Sequence, residues 1–347
     1  MNYCGLDLAG VSSYAYVTDR QGKRIWSGFV ETTKAALEQL VQRFIRGGLK
    51  VAIEAGNQTS WIYEVLVKQR AKVTVVHPKK VKLIAESRCK TDKIDAKILC
   101  ELLRLKALPR PVHMPGPEAR ALRGLLVARR QLIGARTKLC NVARGMLRQE
   151  GIRLPARALS TQVGWQRVLG KGFEQEHLLQ IVAAYFDSFL ALTKSIREID
   201  RQLAAKEKQS PQAARLKTMP RVGRIASLTL LGAVDDVRRF SSSRKLVGYS
   251  GLAPTVRQSG ERAEYGNITR EGRKELRAVW VQVAHGVAID RTRASLPLRL
   301  WFLRVAKRRG KKTALVALAR RLLVIAYQLL RTETDYDASR LRKRRVA

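Results

Sequence analysis

The stretch NYCGLDLAGVSSYAYVTDRQGKRIWSGFVE, residues 2–31, decides the fold. Residues 2–9 alternate and then turn apolar, which predicts a short strand. SYAYVT (13–18) and IWSGFV (25–30) flank the turn DRQGKR and read as a hairpin. Outward from there, residues 32–46 carry Leu37, Leu40, Val41 and Phe44 at helical spacing. Thr32 or Thr33 serves as the cap and Gly47-Gly48 as the stop. KVAIE (50–54) predicts a fourth strand, 59–70 a helix, and KVTVV (72–76) a fifth strand closed by Pro78. Two more helices are expected near 79–87 and 92–106. Three strands in series, then alternating helices and strands, describe an antiparallel meander followed by parallel crossovers.

That order, βββαβαβα, is the ribonuclease-H-like plan, in which the first and fourth strands are neighbours. Asp7 and Glu54 lie near the ends of those two strands and are expected to meet there. Asp92 and Asp95, in KTDKIDAK, are i and i+3 on one helical face, which would turn both toward the same spot if the helix packs on the sheet. The chain has 68 Lys+Arg against 28 Asp+Glu, so acids are scarce and their positions carry information. An unpaired charge between Leu6 and Leu8, or after Val51, Ala52 and Ile53, is costly without a purpose. Carboxylate oxygens suit Mg²⁺ or Mn²⁺. Phosphoryl transfer on nucleic acid is commonly run by two such ions about 3.5–4 Å apart. Lys90, Lys93 and Lys97 surround the helical pair and are placed to hold phosphate. The DxxD spacing alone is weak, and Asp92 reads equally well as a helix cap.

A chain of 347 residues with 46% hydrophobic content predicts two or three folded domains. A net charge of +40 implies a polyphosphate partner. The charge is spread over most of the chain, whereas a membrane-surface protein would concentrate it in one amphipathic helix. No 18-residue apolar run and no leader segment are read from the sequence, so the expectation is a cytoplasmic protein without a membrane partner. Cys4, Cys89, Cys100 and Cys140 form no CxxC pair and read as reduced thiols. His77, His113, His177 and His285 are isolated, which favours structural or solvated roles.

Pro109, Pro111, Pro115 and Pro117 mark a boundary, after which the sequence turns helical. Leu125, Leu132, Leu139 and Met146 recur every seven residues, with Leu126, Ile133, Cys140 and Leu147 alongside. Phe189, Ile196 and Leu203, with Leu192 and Ile199, form a second stripe. The two stripes suggest an antiparallel coiled-coil arm or, with equal weight, the core faces of a helical bundle. A third part begins near Ser210-Pro211. Residues 291–332 hold 12 Lys/Arg and no acid, and the terminus LRKRRVA is basic. The resulting division is 1–112 catalytic α/β domain, 113–210 helical arm, 211–332 mostly helical C-terminal domain, and 333–347 basic tail.

Within the third part, the loop TVRQSGERAEYGNITREGRKELR carries Ser259 before Gly260. Gly266 and Gly272 follow at six-residue steps, among Arg257, Arg262, Arg270, Arg273 and Arg277. Glycines permit close backbone approach and arginines bind phosphate bidentately. A serine there can attack a phosphodiester. No sequence-evident histidine base accompanies it, and by residue type alone a Ser-Gly pair is more often a turn. MPRVGRIA adds a weak hint of a phosphate-binding hairpin between two helices.

These motifs resemble those of the insertion-sequence-110-type DEDD transposases, bridge-RNA-guided recombinases, over nearly the whole chain. GLDLA, AIEAG and KTDKIDAK look like the family's RuvC-like catalytic motifs. MPRVGRIASLTLLGAV, FSSSRKLVGYSGLAP and SGERAEYGNITREGRKELR look like its C-terminal transposase domain. The resemblance implies metal-binding acids at Asp7, Glu54, Asp92 and Asp95 and a nucleophilic serine at Ser259. It implies Mg²⁺, a phosphoserine link to DNA, and strand exchange through a Holliday-junction-like intermediate. A noncoding bridge RNA would pair with target and donor DNA, and the active site would be shared within a dimer or tetramer in a prokaryotic, nucleoid-associated setting. Arg257, Arg262, Arg270 and Arg273, with Lys90 and Lys93, would contact nucleic acid. Many members carry glycine where Arg221 stands here. The rival expectation is a metal-only endonuclease of the Holliday-junction resolvase class, in which water attacks and Ser259 is a turn residue.

Overall fold

The computed structural model describes residues 1–82, 91–173, 175–259 and 262–341, with the backbone alone at 82, 257–259, 262–263 and 265. The chain divides into two compact units, Met1–Pro115 and Gly116–Ala347.

The first unit is a five-stranded sheet covered by helices. Its strands are β1 (Asn2–Asp7), β2 (Ser12–Thr18), β3 (Arg24–Glu31), β4 (Leu49–Glu54) and β5 (Lys72–Val76). Its helices are α1 (Lys34–Phe44), α2 (Thr59–Lys68), α3 (Pro78–Lys82) and α4 (Asp92–Arg104). The strand order is β3-β2-β1-β4-β5. β1, β2 and β3 pair antiparallel, and β1-β4 and β4-β5 pair parallel. Alternation sends Cys4, Leu6, Val51 and Ile53 to one face, where they are buried with Leu37, Val41, Ile62 and Leu66 of α1 and α2. The other face carries Ala52 and Val76 against Leu99 and Leu103 of α4.

Local signals set these helices. The Thr33 hydroxyl caps α1 by accepting from the Ala36 amide at 3.3 Å, and the Thr91 hydroxyl caps α4 by accepting from Ile94 at 3.4 Å. β1 stops at Asp7, two residues short of the expected end, because Gly10 and Val11 begin the turn into β2. α2 stops at Lys68, with Arg70 turning the chain at φ 66°. The helix expected over 79–87 is described only as α3, and its remainder lies outside the described residues.

The second unit is helical apart from one ribbon. α5 (Pro117–Gln149) and α7 (Glu176–Lys208) flank the short α6 (Gln162–Leu169). Arg129 Nε meets Asp200 Oδ1 at 2.6 Å and Arg136 donates to Thr193 Oγ1 at 3.3 Å, seven residues on in one helix and seven back in the other. α5 and α7 therefore run antiparallel. The seven-residue stripe of α7 (Val182, Phe189, Ile196, Leu203) is buried, whereas Leu125, Leu132, Leu139 and Met146 of α5 are only half-buried. Trp165 and Phe189 fill a separate core with Leu147 and Val182.

α8 (Pro211–Lys217), α9 (Arg224–Val234), α10 (Ser243–Ser250), α11 (Lys274–Ile289), α12 (Leu296–Arg309) and α13 (Lys311–Thr332) build the main core around Trp280, Leu318 and Leu322. Among the described residues α13 alone is long and apolar enough to span a membrane, and Leu318, Leu322, Ala326 and Leu330 on it are buried in this core.

The stretch expected as a loop around Ser259 contains an antiparallel ribbon, β6 (Pro254–Ser259) with β7 (Arg262–Ile268). Its apolar positions, Val256, Ala263, Tyr265 and Ile268, are few and interrupted by arginine, glutamine and glycine, which conceals the strand period from a search for apolar patterns.

Candidate functional site

The parallel register of β1 and β4 pairs Asn2 with Leu49 and Leu6 with Ile53. One step further brings Asp7 level with Glu54, at the carboxyl ends of adjacent strands. Residues level in a parallel pair point to the same face. Tyr3, Gly5 and Asp7 share the face of Lys50, Ala52 and Glu54, which is the face covered by α4.

Gly5 locates α4 on that face. A Cβ on Gly5 would lie 2.5 Å from the Cys100 amide nitrogen and would overlap the Ala96 carbonyl. No side chain fits there, so the helix axis approaches β1 closely. The Cys100 thiol donates to the Tyr3 carbonyl at 3.3 Å and meets the Thr18 hydroxyl at 3.3 Å. From Tyr3 to Gly5 the strand thus moves from Cys100 toward Ala96, so α4 runs against β1. Two further strand residues advance about 6.6 Å, the rise of roughly four helical residues. That carries Asp7 to the level of the first turn of α4, which holds Asp92 and Asp95. Asp7, Glu54 and Asp95 are half-buried and Asp92 is exposed.

The loops beyond β1 and β4 are joined by hydrogen bonds. The Thr59 hydroxyl donates to the Glu54 carbonyl at 3.0 Å and accepts from the Gly56 amide at 2.7 Å. Gln58 Nε2 donates to the Gly10 carbonyl at 3.3 Å. Thr32 Oγ1 donates to the Ala9 carbonyl at 3.0 Å, and Ser13 Oγ accepts from the Ala9 amide at 3.2 Å. Sequence reading missed Gly5, Ser13, Gln58 and Thr59, and took Thr32 only as a candidate helix cap. Only the GNQTS turn after Glu54 signalled any of them.

The donor set at this end of the sheet is all carboxylate oxygen, which fits a hard divalent ion. No group of three or more His, Cys, Asp or Glu close enough to hold a metal occurs among the described residues. The register brings Asp7 and Glu54 side by side, but Asp92 and Asp95 are not drawn with them into one ligand cluster. Lys93 and Lys97 are exposed on α4, and Lys90 lies outside the described residues.

In the second unit, Ser259 is the last residue of β6 and pairs in register with Arg262, while Arg257 pairs with Glu264. Gly260 lies outside the described residues. The base of the ribbon is held by the Thr269 amide donating to Ala253 O at 2.8 Å and the Arg273 amide to Tyr249 O at 3.2 Å. Arg277 donates to the Arg270 carbonyl at 3.1 Å. Arg270 is exposed and takes φ 56°. Gly272 takes φ 109°, and a Cβ there would overlap the Tyr249 carbonyl. Arg273 is half-buried and donates to the Tyr249 hydroxyl at 3.0 Å.

Arg221, where the resembling family often has glycine, adopts φ 60°, a region that glycine enters freely. Its guanidinium donates to Asp290 Oδ2 at 3.0 Å, which offsets a backbone cost of about 1–2 kcal/mol. Asp290 also accepts from the Ser295 hydroxyl at 2.7 Å and from the Thr292 amide at 3.1 Å. The Arg221 guanidinium, then the Ser295 hydroxyl, hold its carboxyl well below the usual carboxylate range.

Comparison with known proteins places both units. Residues 4–151 match the DEDD transposase family of IS110 elements, and residues 213–298 match the family described as Transposase IS116/IS110/IS902. The transposase for insertion sequence element IS1111A of Coxiella burnetii is 24% identical over 90% of this chain and 86% of its own length. The transposase for IS1328 of Yersinia enterocolitica is 27% identical over 74% of this chain and 75% of its own. A pilin gene-inverting protein of Moraxella bovis is 31% identical over 47% of this chain and 52% of its own. The chain belongs to the IS110 family of transposases, enzymes that recombine DNA.

Proposed function

We propose that this transposase cuts and rejoins DNA through a covalent phosphoserine, with Asp7, Glu54, Asp92 and Asp95 as its metal-binding acids and Ser259 as nucleophile. The observation that supports the reading is the register of β1 and β4, which brings Asp7 level with Glu54 on the sheet face that packs against α4, the helix whose first turn carries Asp92 and Asp95. The strand order β3-β2-β1-β4-β5, with its meander and two parallel crossovers, supports a RuvC-like, ribonuclease-H-like domain over residues 1–112. We read the antiparallel α5–α7 pair as the coiled-coil arm (113–210), followed by the transposase domain (211–332) and basic tail (333–347).

Mg²⁺ or Mn²⁺ bound by the carboxylates would supply charge neutralisation at the scissile phosphate. The Ser259 oxygen attacks phosphorus, a P–O bond to serine forms, and the P–O bond to the leaving sugar breaks with its oxygen taking up a proton. The reverse attack by a sugar hydroxyl of a second strand releases the serine and joins the DNA. Arg257, Arg262, Arg270 and Arg273, with Lys90 and Lys93, hold phosphates through charge-assisted hydrogen bonds. A bridge RNA pairing with target and donor DNA would select sites, leaving the protein to read backbone and shape. The active form is a dimer or tetramer, acting at the nucleoid in the cytoplasm.

The rival reading is a metal-only endonuclease. Cleavage by Ser259→Ala and Asp7→Ala chains, supplied with the noncoding RNA encoded beside the gene, decides between them. Loss of cleavage in both variants is expected here. Normal cleavage by Ser259→Ala with loss in Asp7→Ala would overturn the phosphoserine.

A further inference from the structure

Three helices of the second unit, α5, α9 and α11, enclose an open cavity of about 340 Å³. Its walls are apolar, formed by Leu126 and Ile133 from α5, Ile225 from α9, and Val279 from α11. Thr229 and Gln282 supply hydrogen-bonding groups among them. The volume is at the small end of ligand pockets, which run from about 300 to 1,000 Å³.

The rim has the opposite character. Arg123 and Arg273 both line the cavity, and each is aimed by a fixed partner. Arg123 donates through Nε to the Gly232 carbonyl and through Nη2 to Ala233 O at 3.1 Å, at the C-terminal end of α9. Arg273 donates to the Tyr249 hydroxyl, which itself donates to Ala233 O at 3.2 Å. A third guanidinium, Arg239, lies over the Tyr249 ring at 4.6 Å and donates to Val234 O at 2.7 Å. Burial, then the nearby Arg273 charge, push the Arg123 guanidinium below its ordinary range. Arg129 and Arg130 on the same wall pair with Asp200 and Glu275, whereas Asp235 and Glu275 act on Arg123 and Arg273 without closing an ion pair to either among the described residues. Part of the rim is neutralised from within, and part is left for an external anion. The carbonyl end of a helix favours cations but spends only some of the five N–H donors of each guanidinium.

We propose that this cavity holds one unstacked nucleotide of a nucleic-acid strand, with its base between Leu126, Ile133, Ile225 and Val279 and its phosphate at Arg123 and Arg273. A free phosphate would leave the apolar walls unused, and an apolar ligand would leave the guanidiniums unpaired. A nucleotide satisfies both, since extruded bases are received between apolar side chains and their phosphates by arginine. The inference rests on the reading above only in taking a nucleic-acid strand as the partner. It requires neither metal, cleavage nor a guide.

The test uses the full chain as Ser259→Ala, without divalent ions, and single-stranded DNA and RNA oligomers carrying 2-aminopurine. Stacking quenches this base, so extrusion into the cavity raises its emission and shields it from acrylamide. Ala278 lines the cavity and is exposed, so Ala278→Trp fills the mouth with little risk to folding. The expected result is loss of the emission change in Ala278→Trp while anisotropy still reports oligomer binding. Arg273→Gln should weaken binding about tenfold and lower the salt slope by about one. Comparison of the two oligomers identifies the strand received. Equal emission in the parent and Ala278→Trp chains, or no emission change with either oligomer, overturns the proposal. A change of sedimenting mass in Ala278→Trp in place of the emission change overturns it too, assigning the cavity to a second copy of the chain. A negative result with the serine–DNA adduct intact in the chain that retains Ser259 removes the pocket and leaves the phosphoserine standing.

Discussion

The carboxylates of the first unit and the serine of the second are held in different ways. Asp7 and Glu54 end two central strands, each paired along its length, and α4 is seated against β1 where Gly5 removes any side chain. Ser259 ends one strand of a two-stranded ribbon, an element that is marginal in isolation. Its position is set at the ribbon's base, by Gly272, Tyr249 and Arg277, ten or more residues from the serine in sequence. The carboxylate end of the sheet therefore depends on strand register and helix approach, and the position of Ser259 depends on a few contacts at the base of a small ribbon. Substitutions directed at each should fail separately.

The largest expected effect is on chemistry. Asp7→Asn should lower the rate of DNA cleavage by about 10³-fold or more, with an unchanged circular-dichroism spectrum, because the proposed metal-binding charge is lost. Cleavage within tenfold of the parent would break the comparison, by showing that the sheet end is not part of the reaction.

Next, Gly272→Ala sharpens the comparison. Its φ of 109° and the overlap with the Tyr249 carbonyl should cost about 1–3 kcal/mol locally and misaim the ribbon. Adduct formation should fall while Mn²⁺ binding, followed by calorimetry, stays at the parent value. Gly5→Ala should do the reverse, because overpacking costs about 1–3 kcal/mol and displaces α4 from β1. Mn²⁺ affinity should drop with a lowered Tm for the first unit. If either substitution reduced both readouts equally, the two sides would not be separable.

The smallest effect concerns Asp290, which belongs to neither side. Its folded carboxyl titrates below the ordinary aspartate value, so the unfolded chain binds the proton more readily. Its stabilisation is present above about pH 4 and is lost as the pH falls further. Asp290→Asn should lower Tm at pH 7, and the difference from the parent should shrink as the pH drops below about 4. A difference independent of pH over that range would assign the loss to packing alone.

Much of the first unit was legible because its signals are local. Alternating runs, Thr caps and the Gly47-Gly48 stop announce each element, and Asp7 and Glu54 stand out in a basic chain by their apolar flanks. Gly5 was not legible as the seat of α4, since its partners Ala96 and Cys100 are more than ninety residues away. The β6–β7 ribbon was read as a loop because its few apolar residues are interrupted by arginine, glutamine and glycine. Spacing alone gave Ser259 no distinction from a turn residue, and its proposed role comes from the family. The left-handed φ of Arg221 explains why glycine suits that position, but a sequence with arginine there conceals it. The arginines at the end of α9 were likewise hidden, since Arg123, Arg239 and Arg273 come from three separate segments.

The most direct test of the proposed phosphoserine chemistry is to map the covalent adduct. The chain is incubated with its DNA, the noncoding RNA and Mg²⁺, then denatured, digested and analysed by mass spectrometry. A nucleotide is expected on the peptide containing Ser259, absent from both Ser259→Ala and Asp7→Asn. Strand cleavage by Ser259→Ala at the parent rate, or an unchanged adduct in Asp7→Asn, would contradict it.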